Sequence, residues 1–299
     1  MISFEARIPY IMPVHDLQHM LQPEFPEVSA NGEWEQREYL FRNGIRNAIL
    51  ILVDSEVGKE DVLRFYGRYG ISPDRIRIIP FLPANYLSVH VPPKLRAEIR
   101  RRYSLPKRYL FYPAQFWAHK NHVRIVKAIA LLREQAGAEI HMVFCGANTT
   151  ATQKQTYLEV MTLVCELNIS DQVHYLGYVP DEDMSGLYAE AAGLVMPTFF
   201  GPTNIPILEA WAFGCPVITS DIRGVQEQVG RAGLLVDIRS VEAIAAGMLR
   251  VWRDDLLREE LVRRGRERLE SYTPDEFRRR LSDIVQTASK LVGEERNKV

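Results

Sequence analysis

From residue 109 onward, short apolar runs alternate regularly with amphipathic stretches of ten or more residues. Runs at 109–115, 139–145, 172–176, 193–197, 216–220 and 234–236 read as strands, and 121–135, 153–168, 181–191 and 204–213 read as helices. When a helix of that length separates each strand from the next, the chain returns to the same end of the sheet every time, so neighbouring strands run parallel. A parallel sheet is stable only with both faces covered. The pattern predicts an α/β fold in which helices lie on both sides of the sheet.

The earlier part of the chain is less regular. An acidic, Pro-containing loop is expected at 22–31, a helix at 33–47, and a buried strand at 48–53. A helix then runs from Ser55, a suitable N-cap, to about residue 69, followed by a strand at 75–80. The Pro- and Asn-rich stretch 83–93 is the expected domain boundary. At 299 residues the chain has room for about two domains. The expected divisions are 1–93, 94–275, and a terminal helix over 276–299 that packs back on the first domain. Helices fill the chain from Ser240 on, and Thr273-Pro274-Asp275-Glu276 forms a capping box with Pro at the first helical position.

A net charge of −1 excludes a globally basic nucleic-acid binder. Residues 1–10 lack the apolar run of a secretory signal, and the longest apolar run, 48–53, is far too short to span a bilayer, so a cytoplasmic location is expected. Cys145, Cys165 and Cys215 have neither paired nor metal-like spacing and read as buried reduced thiols.

In parallel sheets, ligands bind beyond the carboxyl ends of the strands. Four loops meet that condition, 115–121, 146–152, 177–180 and 198–204, and all carry Gly, small polar or cationic residues. In the last, a strand end leads through Gly201-Pro202 into a helix with Thr203 or Asn204 as N-cap and Pro206 in the first turn. Free backbone N–H groups and the positive end of the helix dipole suit a phosphate there. Glu209, one turn inside, is placed to accept hydrogen bonds from ribose hydroxyls; a plain strand–turn–helix with a solvated carboxylate accounts for the same residues. Lys120, at the end of the first loop, can neutralise a diphosphate and stabilise it as a leaving group.

These segments, together with His15-Asp-Leu-Gln-His19, Asp54-Ser55-Glu56 and Leu176-Gly177-Tyr178-Val179, resemble the retaining family 4, or group 1, glycosyltransferases of GT-B fold. The resemblance implies two Rossmann-like domains, the amino-terminal one incomplete because the family's opening strand and glycine-rich loop lie upstream of the His-Asp segment. It implies that Lys120 grips the diphosphate, Glu209 holds the ribose, and Gly177, Tyr178 and Val179 lie beside the base. The amides of Thr203, Asn204 and Ile205 cradle the distal phosphate, and His15 faces donor sugar and acceptor. Gln115, Asn121, Gly146 and Gly201 complete the expected donor site. Transfer would need no metal or other cofactor. Two positions depart from the family: Gly201 stands where a sugar-contacting glutamate is usual, and Gln115 where a cationic partner of the diphosphate is usual. The expected partners are a nucleotide sugar and a saccharide or lipid-linked acceptor, as in polysaccharide biosynthesis. A catalytically silent nucleotide-sugar binding module and a sugar-nucleotide epimerase are the alternatives.

Other signals are weaker. His15/His19 and His119/His122 have metal-like spacing but no evident third ligand. Asp181-Glu182-Asp183 matches a metal-binding Asp-x-Asp pattern, yet it opens a helix, where acidic residues favour the dipole. The run from Lys94 to Arg108 holds seven basic residues and one acidic residue. Such a helix suits peripheral contact with anionic lipid at the inner face of a membrane, although a run like this is more often a solvated surface. No Gly-x-Gly-x-x-Gly or Walker-type loop points to dinucleotide redox or phosphoryl transfer.

Overall fold

The structure, a computed structural model, describes residues 4–5, 8–84 and 91–296; within the expected boundary loop, 85–90 lie outside the described residues. The chain forms two compact units. The first takes the segment ending at Leu82, Gly201–Thr203, and the segment beginning at Tyr272; the second holds the chain between them.

The first unit contains a parallel sheet of β1 (Ile11–Pro13), β2 (Leu50–Val53) and β3 (Ile76–Ile78) in that order, with Ile11 opposite Leu50 and Ile51 opposite Ile76. Side chains alternate along a strand, so each strand contributes to both faces. On one face Ile51 and Val53 join Ile45, Val62 and Tyr66 in a single core. Those partners come from the long helices of the unit, which follow the short helices α1 (Gln18–Leu21) and α2 (Pro26–Ser29): α3 (Glu33–Asn47) and α4 (Glu56–Tyr66). Leu50 turns to the other face and packs against Ile284 and Ala288 of the last helix, Pro274–Arg296. Ser55 caps α4 by accepting the Gly58 amide (3.0 Å), and Thr273 accepts the Glu276 amide (3.3 Å). The expected loop at 22–31 is partly helical, because Pro26 presets the first turn of α2. Strand β1 carried too short an apolar run to be read from the sequence.

The second unit matches the alternation closely. Its sheet comprises β4 (Leu110–Pro113), β5 (Met142–Cys145), β6 (Val173–Tyr175), β7 (Gly193–Met196), β8 (Val217–Ser220) and β9 (Leu234–Val236). All pairings are parallel, in the order β6-β5-β4-β7-β8-β9. The covering helices are α5 (Pro93–Arg102), α6 (His122–Ala136), α7 (Ala151–Glu166), α8 (Asp181–Glu190), α9 (Ile205–Ala212), α10 (Arg223–Val229), α11 (Val241–Arg253) and α12 (Asp255–Glu270). Leu110, Phe111, Val143, Phe144, Leu194 and Val195 are completely buried. Each such side chain contributes about 1.5–3 kcal/mol, so the central strands form a rigid base for the loops beyond them. The chain winds outward from β4 to β6, then returns to β7 and winds the other way. The crevice at that reversal, beyond the carboxyl ends of β4 and β7, is where such sheets bind ligands.

Candidate functional site

Lys120 ends a 3₁₀ turn, Ala118–Lys120, that follows β4, and its carbonyl accepts the Tyr112 hydroxyl (3.0 Å). The next residue, Asn121, is buried with φ of 62°, a left-handed conformation that Asn tolerates. Its amide donates to the carbonyls of Pro197 (2.9 Å) and Ile238 (3.0 Å), latching together the loops after β4, β7 and β9. The Asn121 side chain is thus engaged by the scaffold. His122, next along, is sealed in an aromatic nest, stacked on Phe116 at 4.4 Å between centroids. Burial, reinforced by the nearby Lys120 charge, lowers its pKa to about 3. The His119/His122 spacing therefore reflects packing around the lysine turn.

Helix α9 begins at Asn204, as one of the two expected N-caps; its side chain makes no capping hydrogen bond. Instead Gln228 clamps the residue, accepting its amide and donating to its carbonyl, both at 2.9 Å. Ile205, the first helical residue, is exposed. Glu209 is only 6% exposed, so the expectation of a solvated carboxylate as the bland alternative does not describe it. The Tyr188 hydroxyl donates to its Oε2 at 2.6 Å. Burial, then the Glu209 charge, pushes the Tyr188 phenol well above its ordinary value, which keeps it a donor. Tyr188 stacks on Phe213 at 5.9 Å, fixing its ring. Tyr188 was missed in the sequence because only tertiary packing of α8 against α9 brings it to Glu209. Behind α9, Gly265 of α12 lies against Trp211, where an added Cβ would stand 2.3 Å from the indole.

On the other side of β4, Gly146 follows β5 with φ of 147°, and a Cβ there would lie 2.4 Å from the Ala114 carbonyl oxygen. Its amide donates to the Gly177 carbonyl (2.9 Å), and its carbonyl accepts the Tyr175 hydroxyl (2.9 Å). Tyr178 is 74% exposed, whereas Val179 is buried. Gln115 accepts from Trp117 Nε1 (2.8 Å) and Gln153 Nε2 (3.1 Å). Since Gln153 also completes the capping box with Thr150, Gln115 is tied to the start of α7. The second unit thus gathers Gln115, Lys120, Asn121, Gly146, Gly177, Tyr178, Asn204, Ile205 and Glu209 at or just beyond its carboxyl-terminal strand ends.

Gly201 and Thr203 group instead with the first unit, as does His15. In that unit His15 follows β1, is exposed, and lies 5.6 Å from the Phe81 ring beyond β3. Asp54 follows β2, is buried, and accepts the Ser55 hydroxyl (3.0 Å); burial raises its pKa, opposed in part by His15. His19 has no part in this. It is fully buried, stacked on Phe41 (5.3 Å), and lies 3.6 Å from Glu38 Oε2, with its pKa lowered chiefly by burial. Among the described residues no group of three or more His, Cys, Asp or Glu could hold a metal ion.

The basic run has specific partners. Arg100 pairs with Glu190 (2.5 Å), and Arg102 with Asp183 (2.7 Å) and Glu98 (2.8 Å). Arg108 lies over Trp252 at 4.6 Å. Arg96 also approaches Glu190 (3.9 Å), so three of the seven basic residues join α5 to α8. Asp183 is correspondingly more than a helix-dipole residue: it is buried and also accepts the Tyr103 hydroxyl (2.6 Å). Cys145 and Cys215 are buried, but Cys165 is exposed, on the outer side of α7, correcting its expected burial. Among the described residues no helix is long and apolar enough to cross a membrane.

The family model "Glycosyl transferases group 1" matches residues 96–268, more than half of the chain. O-antigen chain mannosyltransferase B of Escherichia coli is 28% identical over 242 residues, covering 80% of this chain and 61% of the relative. D-inositol 3-phosphate glycosyltransferase of Corynebacterium glutamicum is 25% identical over 273 residues, covering 88% and 62%. The chain thus spans about three-fifths of the length of these curated relatives. Among solved structures, sucrose-phosphate synthase from Thermosynechococcus elongatus superposes with a TM-score of 0.77 at 22% identity, covering 96% of this chain and 69% of the other. Anabaena HepE in complex with UDP-glucose gives 0.77 at 17% identity, covering 96% and 74%. The fold is α/β of GT-B type.

Proposed function

Because the chain belongs to the group 1 glycosyl transferases, we propose that it moves a hexose from a nucleoside diphosphate sugar to a hydroxyl of a saccharide or lipid-linked acceptor, with retention at the anomeric carbon. The observation that carries this reading is Glu209: a carboxylate buried one turn inside α9, fixed on one oxygen by Tyr188, at the same sheet crevice as Lys120. A carboxylate so held is an acceptor for vicinal hydroxyls, and a lysine beyond a neighbouring strand end suits a diphosphate. In this reading Glu209 binds the ribose, and Lys120 and the amides of 203–205 hold the diphosphate. Gly177, Tyr178 and Val179 line the base, and His15 meets the sugar. The bond from anomeric carbon to phosphate oxygen breaks, the acceptor oxygen takes its place, and the hydroxyl proton leaves with the diphosphate. Charge stabilisation falls to Lys120 and the amino end of α9, with no metal required. HepE, solved with UDP-glucose, and the mannosyltransferase relative support the nucleotide-sugar and hexose assignments. Peripheral lipid contact through 94–108 would rest on the basic residues there other than Arg100 and Arg102, which are already paired.

Calorimetry with nucleoside diphosphate sugars, followed by a transfer assay, tests the reading. Glu209→Ala and Lys120→Ala are expected to lower transfer by about a hundredfold or more. Full transfer by either variant would refute it. Binding without turnover would identify a silent module, and donor interconversion without acceptor an epimerase.

A further inference from the structure

Several arginines of the second unit are neutralised by acids: Arg100 by Glu190, Arg102 by Asp183, Arg133 by Asp171, Arg263 by Glu260. Arg124 and Arg239 differ. Their guanidinium carbons lie over the same ring, Phe199, at 5.2 and 5.7 Å from its centroid. Among the described residues no carboxylate pairs with either group. Arg124 donates to the neutral Asn121 side chain (3.1 Å), and the nearby Asp237 accepts the Arg239 backbone amide, not its guanidinium. Each cation–π contact at such a site is weak, and the two like charges oppose one another. The pair is an electrostatic arrangement that an anion would complete.

Its place indicates which anion. Arg124 is in the first turn of α6 after β4, Phe199 follows β7, and Arg239 follows β9, all at the carboxyl-end side of one sheet. The Phe199 amide donates to the His119 carbonyl (2.8 Å), and Arg124 is bonded to Asn121, so both are anchored to the residues flanking Lys120. A nucleotide sugar carries one negative charge on each phosphorus and gains another when the sugar departs. Lys120 supplies a single positive charge, and Gln115 supplies none.

We propose that Arg124 and Arg239, held on Phe199, form a second cationic arm for the donor's diphosphate beside Lys120. This rests on the nucleotide-sugar reading of the site. The arm contributes most to the released diphosphate, whose charge is greater, and so favours departure of the leaving group.

The test measures binding of UDP, GDP and the corresponding nucleosides to the full chain and to Arg239→Met, whose guanidinium makes no hydrogen bond to another described residue. Arg124→Met is a second variant, checked for folding because it also loses the contact to Asn121. The expected result is roughly tenfold weaker binding of the preferred nucleoside diphosphate by Arg239→Met, with nucleoside binding unchanged and the difference shrinking at high salt. Equal nucleoside diphosphate affinity in wild type and Arg239→Met would overturn the proposal while leaving the donor-site reading intact. If the wild type bound no nucleoside diphosphate, the donor-site reading itself would fail, and this proposal with it.

Discussion

His122 provides a direct test of how the lysine turn is held. Its imidazole is completely buried among Phe116, Tyr112 and Phe144, two residues from Lys120. Burial lowers its pKa from 6.5 to about 3 in the folded chain. As pH falls, the unfolded chain therefore takes up the proton first, and stability is lost progressively from about pH 6.5 down to about pH 3. At pH 5 the unfolded form lies about 1.5 pH units below its titration point while the folded imidazole stays neutral. At roughly 1.4 kcal/mol per unit this amounts to a loss of about 2 kcal/mol relative to pH 7.5. For a protein with a total stability of roughly 5–15 kcal/mol, that is readily measured. The perturbation is His122→Phe, which retains the aromatic packing and removes the titration. Urea unfolding of both proteins at pH 7.5 and pH 5.0 gives four free energies. Other groups that titrate, including His19 and His174, whose pKa values are also lowered, are common to both proteins and cancel. Wild type is expected to lose about 2 kcal/mol more than the variant between the two pH values. An equal loss would show that the neutral buried imidazole is not linked to stability.

Two further predictions concern α9. Tyr188→Phe removes the donor to Glu209 and is expected to cost about 1.5–3 kcal/mol, with weaker nucleotide-sugar binding, measured by urea unfolding and calorimetry; no change in either would refute the role given to this hydrogen bond. Gly265→Ala drives a methyl group into Trp211 and is expected to cost about 1–3 kcal/mol in thermal or urea unfolding, whereas Gly293→Ala, where the new methyl meets open space, should not destabilise.

The second unit was legible because its apolar runs are long enough to read as strands and its crossovers long enough to read as helices. The loops around Lys120, Gly146, Gly177 and Asn204 followed from the strand ends. What escaped notice depends on contacts distant in sequence. Tyr188 lies on a helix whose sequence signal is its acidic start, and Arg124, Phe199 and Arg239 belong to three separate segments beyond β4, β7 and β9. In the first unit, three-residue β1 offered too few apolar positions to establish a period. The buried His19 was indistinguishable in sequence from the exposed His15, since spacing alone does not say which side of a chain faces the core.

The Asn121 latch has a consequence for how the loops respond to a ligand. One short side chain from the segment after β4 binds backbone beyond two other strand ends, β7 and β9, so the three segments share a single local opening equilibrium. Much of the configurational entropy that a flexible loop would lose when a ligand arrives has already been removed during folding. Amide protons across the three loops should therefore slow together on nucleotide binding, as one exchanging group.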